Sequence, residues 1–396
     1  MKIRQNHTFK KEFLNYFLQT GYMPQENEWK LIYRYAGDKN PANRYDAAEV
    51  LRFRCNAEEE TLLRQMTYDK NGLVRLNAID SLEMGIQEES LNRMYELMSG
   101  GGRLTRGYAA YTFCDIWVNQ KGYTRSSMEQ YRKRIEELYK KETDPWVLSH
   151  FERNRYLSGV RDGIIALKNI ICEAQDYHIQ CSAAYRLMEM RTPFNEKEIN
   201  RVFEEVLDDI ADSCYLKEEL CKVTGQKEPP KILVVDRENS GLSQMLEYIG
   251  ANQTEDWYVA SAGFSPASAI CIEMKEQADE DCDLTRYYYP KAIRQLWRYD
   301  YIVPIGVKLR EDEYPFQRII RIFENEDESM TDLKKAEEMW KELSEFIKID
   351  RKSSGGDSMK TVRDDAVSGR TLEDMDRAIG NFKMNKVSDP IVLSDV

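Results

Sequence analysis

Lys231-Ile-Leu-Val-Val-Asp-Arg-Glu-Asn-Ser-Gly-Leu-Ser-Gln-Met245 decides how the second half of this chain of 396 residues is read. The apolar run Ile232 to Val235 is rich in β-branched residues and predicts a buried strand. A polar loop containing Gly241 follows, and a helical pattern begins near Ser243. Strand, loop and helix start in that order form the layout with which α/β folds hold phosphate-like groups. The loop nevertheless carries Asp236 and Glu238, negative charges where such a cradle wants none. Residues Asp236, Arg237, Glu238, Asn239, Ser240, Gly241, Leu242 and Ser243 are therefore the candidate ligand-binding loop, and its chemistry is in question from the start.

Downstream of the loop, strand and helix signals alternate. A helix is expected over 243–250, a strand over 257–260, helices over 267–278 and 290–297, a strand over 301–307, a short strand near 319–322 and a long helix over 331–348. That alternation predicts a small doubly wound parallel-sheet α/β domain over 231–349. Upstream, Gln226-Lys-Glu-Pro-Pro230 reads as a short hinge.

The first 225 residues are built on a repeat. Asp38-Lys-Asn-Pro-Ala-Asn-Arg-Tyr-Asp-Ala-Ala-Glu-Val-Leu51 aligns with Asp69-Lys-Asn-Gly-Leu-Val-Arg-Leu-Asn-Ala-Ile-Asp-Ser-Leu82 at a spacing of 31 (69 − 38). Leu104 to Phe113 is a third copy, Trp146 to Arg155 a looser fourth and Ile179 to Leu187 a fifth. The small Ala47, Ala78, Ala109 and Ala183 share a helical face with apolar neighbours, which permits close packing within a helix pair. Each unit can bury that face only against the next unit, so the pattern predicts an N-terminal α-solenoid. Val74-Arg75-x-x-Ala78-x-x-Ser81-Leu82 resembles the second helix of HEAT-like repeats. A last helix from Glu196 to about Lys222 is expected to cap the array. Arg44, Arg75 and Arg106 form a register-matched row on it. Two roles fit them: pairing with loop acids such as Asp38 or Asp69 to fix the stacking, or a basic stripe on the concave face that grips an acidic peptide or a phosphate backbone.

In the second half, the order of motifs resembles the low-molecular-weight tyrosine phosphatase and arsenate reductase family. Ser261-Ala262-Gly263 stands where that family closes its second strand, followed by Pro266 and Ile272-Glu-Met-Lys-Glu276. Asn239-Ser240 and Ser243-Gln244-Met245 match the loop and helix start of the reductase branch, and Asp300-Tyr-Ile-Val303 matches the third strand. Phe323-Glu-Asn-Glu-Asp327 falls where the family has its acidic Asp-Pro loop, although Glu328 replaces the proline. The resemblance implies a thiolate nucleophile at position 236 and an oxyanion-binding arginine at position 242. Those positions hold Asp236 and Leu242, and the reductase cysteine near the third strand would fall close to Gly306. No catalytic residue of the family type is expected, and Asp236 and Asp327 are the candidates for an altered chemistry.

The remaining features bound the function. Net charge is −12, with the first part near neutral and the second acidic, which argues against non-specific nucleic-acid binding by the second part. The beginning of the chain lacks the apolar core of a secretory signal, and no run long enough for a membrane span occurs. The scattered cysteines then read as reduced thiols, which points to the cytoplasm, and neither a metal site nor a cofactor is expected. Residues 350–396 begin with a Ser/Gly-rich linker, and a short helix fits 372–382. The final segment from Ala378 resembles, over fewer than about twenty residues, the C-terminal segments of some small bacterial antitoxins, and an ordinary disordered terminus is the preferred reading of it.

Together these readings describe a multidomain α + α/β protein of bacterial type. A non-catalytic interaction or scaffold protein is the main expectation, with a protein partner held by the concave face or the tail. Three alternatives stand beside it: a phosphatase-like or arsenate-reductase-like enzyme with altered chemistry, a receiver-like regulatory domain on a repeat scaffold, and nucleic-acid binding by the solenoid.

Overall fold

A computed structural model of the protein describes residues 7–211, 216–253, 257–279, 286–322 and 330–353. The chain groups into two compact units, Met1–Leu343 and Ser344–Val396. The first contains a helical array and a parallel sheet; the described part of the second is the end of the last helix. The acidic loop 323–327 and the tail beyond Ser353 lie outside the described residues. Among the described residues no helix is long and apolar enough to cross a membrane.

The array begins with α1 (His7–Thr20) and continues as helix pairs. These are α2 (Glu26–Ala36) with α3 (Pro41–Leu51), α4 (Ala57–Met66) with α5 (Gly72–Ser81), and α6 (Glu88–Gly100) with α7 (Arg103–Lys121). The next pairs are α8 (Arg125–Tyr139) with α9 (Pro145–Leu157) and α10 (Gly163–Glu173) with α11 (Tyr177–Met190). The repeated sequence copies supply α3, α5, α7, α9 and α11, and each of these helices packs on the next.

The local reason is visible at their starts. Asn40, Asn71, Asp144 and Asp176 each accept a hydrogen bond from a first-turn amide, and Pro41 and Pro145 occupy positions where no amide is needed. Their faces then close: Ala47, Ala78, Ala109 and Ala183 are all fully buried. The approach is closest between α7 and α9, where a Cβ added to Gly107 would sit 2.1 Å from Cζ3 of Trp146. Buried amides tie successive helices, with Asn77 Nδ2 donating to the Tyr45 carbonyl and Asn154 Nδ2 to the Ala110 carbonyl, each at 2.7 Å.

The single capping helix expected over 196–222 is instead two, α12 (Glu196–Val206) and α13 (Lys217–Val223). The buried Gln180 side chain draws the chain away between them. It donates to the Asp209 carbonyl at 2.9 Å and accepts from the Ala211 amide at 3.0 Å. Residues 226–230, the expected hinge, are anchored: Arg191 donates to the Gln226 carbonyl and pairs with Glu228 at 2.8 Å.

The sheet consists of β1 (Lys231–Asp236), β2 (Tyr258–Gly263), β3 (Tyr301–Pro304) and β4 (Arg318–Ile319), all parallel, in the order β2-β1-β3-β4. Three strands differ in extent from expectation: β2 runs on to Gly263, β3 ends at Pro304 instead of 307, and β4 is two residues long. Helix α14 (Leu242–Gln253) connects β1 to β2 and packs on both. Helix α15 (Ile272–Asp279) follows β2, and α16 (Asp332–Ser353) closes the described chain. Trp340 of α16 stacks near Trp257 and crowds Gly250 of α14.

The helix expected over 290–297 does not form. Residues 286–298 run as an extended strap with one 3-10 turn at Leu296–Arg298. The Gly263 amide donates to the Lys291 carbonyl at 2.7 Å, and Gln295 stands in the left-handed region at φ 51°. Ile293, Leu296 and Tyr299 cover the sheet face made by Leu233, Val235, Ala260, Ala262 and Ile302. The same strap is bonded to the array at five side chains or amides, and those contacts override the local helical pattern.

Candidate functional site

Strand order puts the two neighbours of β1 on opposite sides, so the chain after Asp236 leaves the sheet where β2 and β3 diverge. This is the position at which open α/β sheets bind ligands. The loop there is closed on itself. The Asp236 carboxylate accepts the Asn239 amide, which holds Asn239 in the left-handed region at φ 50°. Asn239 is fully buried and acts as the hub of the turn. Its Nδ2 donates to Ser243 Oγ at 3.0 Å and to Ser261 Oγ at 2.8 Å, its Oδ1 accepts the Lys291 amide at 2.8 Å, and its carbonyl accepts from Gln244 Nε2. Behind it, Glu247 accepts from Ser261 and forms an ion pair with Lys291.

The loop carbonyls are occupied as well. Amides of Phe264, Ser265, Ala267 and Cys271 donate to the carbonyls of Asp236, Arg237, Glu238 and Ser240. Arg237 and Glu238 point to solvent, Leu242 is half-buried and Ser243 is buried. The carboxylate of Asp236 thus lies where a cradle would receive an anion, and it already holds one of the cradle's amides. Leu242 donates nothing from its side chain.

One neighbour of the loop was not singled out by its sequence. Cys271 Sγ lies 3.2 Å from where a Cβ on Gly241 would stand, and it accepts the Met274 amide at 3.4 Å. The expected helix over 267–278 puts this cysteine mid-helix. The observed α15 begins only at Ile272, which makes Cys271 its capping residue. Asp300 sits at the other end of the sheet, where its carboxylate accepts the Lys231 amide at 3.0 Å. Asp327, the second carboxylate of the altered-chemistry expectation, lies outside the described residues.

The arginine row occupies the joints between repeats. Arg44 Nη1 donates to the carbonyls of Asp38 and Lys39, while its Nε and Nη2 fork onto the Asp69 carboxylate at 2.7 and 2.8 Å. Arg106 likewise bonds the Gly101 carbonyl and forks onto Glu142 at 2.7 and 3.1 Å. Arg75 makes the carbonyl bonds, to Asp69 and Lys70, without a carboxylate beside it among the described residues.

A third cluster joins array to strap. Trp297 Nε1 donates to the Asp115 carboxylate at 2.6 Å, and Arg153 is sandwiched by the rings of Tyr111 and Trp297 at 4.2 and 4.1 Å. Arg298 pairs with Glu83 at 3.0 Å. Asp115 is fully buried, and that burial pushes its carboxyl above the usual range, although Arg153 and Arg298 oppose the shift. His150 is buried beside Trp146 with neither ring nitrogen bonded, and burial holds its pKa well below the ordinary histidine value.

No protein-family model matches the chain, and no curated protein matches it. Among solved structures, the thioredoxin-dependent arsenate reductase of Corynebacterium glutamicum is similar at 14% identity. The match covers 58% of this chain and 98% of that protein, with a TM-score of 0.25.

Proposed function

We propose that this is a cytoplasmic, non-catalytic interaction protein in which a HEAT-like solenoid supplies the binding surface and a phosphatase-like sheet module is chemically silent. One observation carries the reading: the candidate loop is filled by its own residues, with the Asp236 carboxylate on the Asn239 amide and Leu242 in place of an anion clamp. A loop that attacks phosphorus or arsenic needs a free nucleophile and donors left open for the transferring group. The consecutive packing of α3, α5, α7, α9 and α11 supports the solenoid half, because such stacks present long continuous surfaces to partners.

The test has two arms on the full-length protein. Generic aryl-phosphate hydrolysis and thiol-dependent arsenate reduction should stay at background. Affinity capture from a native cytosolic extract should retain a protein in stoichiometric amount. Turnover abolished by Asp236→Ala or by Cys271→Ser would reject the proposal.

A further inference from the structure

We propose that the joint between the second and third repeats is a carboxylate-binding cleft that takes an acidic side chain of a partner protein. This rests on the reading of the array as an interaction surface and assigns that surface a site. Arg44 and Arg75 make the same two carbonyl bonds at the same lengths, 2.8 and 3.2 Å. In Arg44 the Nε–Nη2 edge then grips Asp69, and in Arg106 it grips Glu142. The residue that would serve Arg75 in the same register is Gly100, since both 69 − 44 and 100 − 75 equal 25. Glycine brings no carboxylate, so among the described residues the forked edge of Arg75 lacks the partner its neighbours have.

Space is present at that point. A cleft of about 450 Å³ is lined by Arg75, Lys70, Arg93, Tyr68, Gly101 and Thr105. The Arg93 guanidinium lies 3.6 Å above the Tyr68 ring, donates to Thr67 Oγ1 at 3.0 Å and pairs with the exposed Glu96 at 3.2 Å, so its place in the wall is fixed. Asp69 also lines the cleft, but its charge is taken by Arg44. Gly102 starts α7 without the side-chain cap that Asn40, Asn71, Asp144 and Asp176 give their helices. Among the described residues the joint thus lacks the one carboxylate that grips the forked edge of Arg44 and of Arg106.

A guanidinium fork matches a carboxylate in a bidentate pair, as the two filled joints demonstrate within this chain. Because both filled joints hold a carboxylate, a short acidic peptide segment is the fitting occupant.

The experiment follows the fluorescence anisotropy of a labelled hexaglutamate peptide with the full-length protein, Arg75→Ala and Gly100→Asp. A Cβ at Gly100 meets nothing within 4 Å, so the aspartate can be accommodated and can close the fork from within. Both variants should weaken hexaglutamate binding about tenfold or more, and Gly100→Asp should at the same time raise the melting temperature. Hexalysine should not bind. Absence of saturable hexaglutamate binding to the wild type overturns the site, as does an affinity in both variants equal to that of the wild type. Displacement of the peptide by a single-stranded oligonucleotide of equal charge also overturns it, in favour of a phosphate ligand. Partner capture undiminished in Arg75→Ala removes this site and leaves the interaction-protein reading standing. Arg75-dependent peptide binding together with aryl-phosphate turnover supports the site and removes that reading.

Discussion

The helical array and the sheet module satisfy their polar groups in opposite ways. In the array, polar side chains reach outward to the next unit: Arg44 to Asp69, Asn77 to the Tyr45 carbonyl, Arg106 to Glu142. In the sheet module they reach inward: the loop after β1 folds around Asn239, the Asp236 carboxylate holds the Asn239 amide, and the loop carbonyls accept amides of the segment after β2. A stack bonded unit to unit leaves an unfilled place wherever one unit lacks its partner residue, as at Arg75. A loop bonded to itself leaves little for a ligand. The difference is the ground on which we propose the array as the working surface.

The comparison can be broken most severely at the closest helix contact. Gly107→Val drives a side chain into Trp146, and the array should lose about 3 kcal/mol or more in urea unfolding. An unchanged midpoint would mean that α7 and α9 are not packed as described. Next comes the tie between the two regions. Trp297→Phe removes the donor from the buried Asp115 carboxylate and should cost about 2–3 kcal/mol. If the regions are energetically independent, hydrogen exchange in α7 and in the strap will not change together.

Asn239→Ala probes the inward-bonded loop. It strands the Lys291 amide and the Ser243 hydroxyl and leaves Ser261 bonded to Glu247 alone, and a loss of about 2 kcal/mol is expected by thermal denaturation. A neutral substitution would show that the hub does not hold the loop.

The smallest effect is a pH slope. His150 has a folded pKa well below its unfolded value, so the unfolded chain takes up a proton first as pH falls. Stability attributable to the neutral ring is therefore present above about pH 6.5 and lost below it, by about 1.4 kcal/mol per pH unit until the folded ring also titrates. Asp115 has the opposite sign, because its raised carboxyl costs stability as pH rises from the unfolded carboxylate range through its folded pKa. His150→Phe should flatten only the acid limb, measured as the difference in unfolding free energy between pH 7 and pH 5. Identical limbs in the two proteins would remove the histidine from the account.

Much of the array was legible because its signals are local and repeated. Asn40 and Asn71 start helices by capping their own amides, and Ala47 and Ala78 mark the packed face at helical spacing. The strand Ile232–Val235 was legible for a similar reason, since a short β-branched run bounded by a polar loop has few other uses. The candidate loop was legible as a place and not as a state. Its residues could be named, but the capture of the Asn239 amide by Asp236 depends on a backbone at φ 50° that no residue type dictates.

Residues 286–298 mark the limit most clearly. Their pattern predicts a helix, yet Arg286, Arg294, Trp297 and Arg298 each take a partner in the array more than 180 residues earlier in the chain, and the backbone extends to reach them. The break between α12 and α13 has the same origin in the distant Gln180 side chain. The sequence by itself determined the run of helices in the first half, the strand Ile232–Val235 and the presence of Asp236 and Leu242 in the loop that follows it. Only the tertiary structure decided that the Asp236 carboxylate holds the Asn239 amide, that residues 289–295 run as a strap, and that Arg75 stands without a carboxylate among the described residues. Periodicity and capping act within a few residues, whereas bonds between distant segments exist only once the chain has packed.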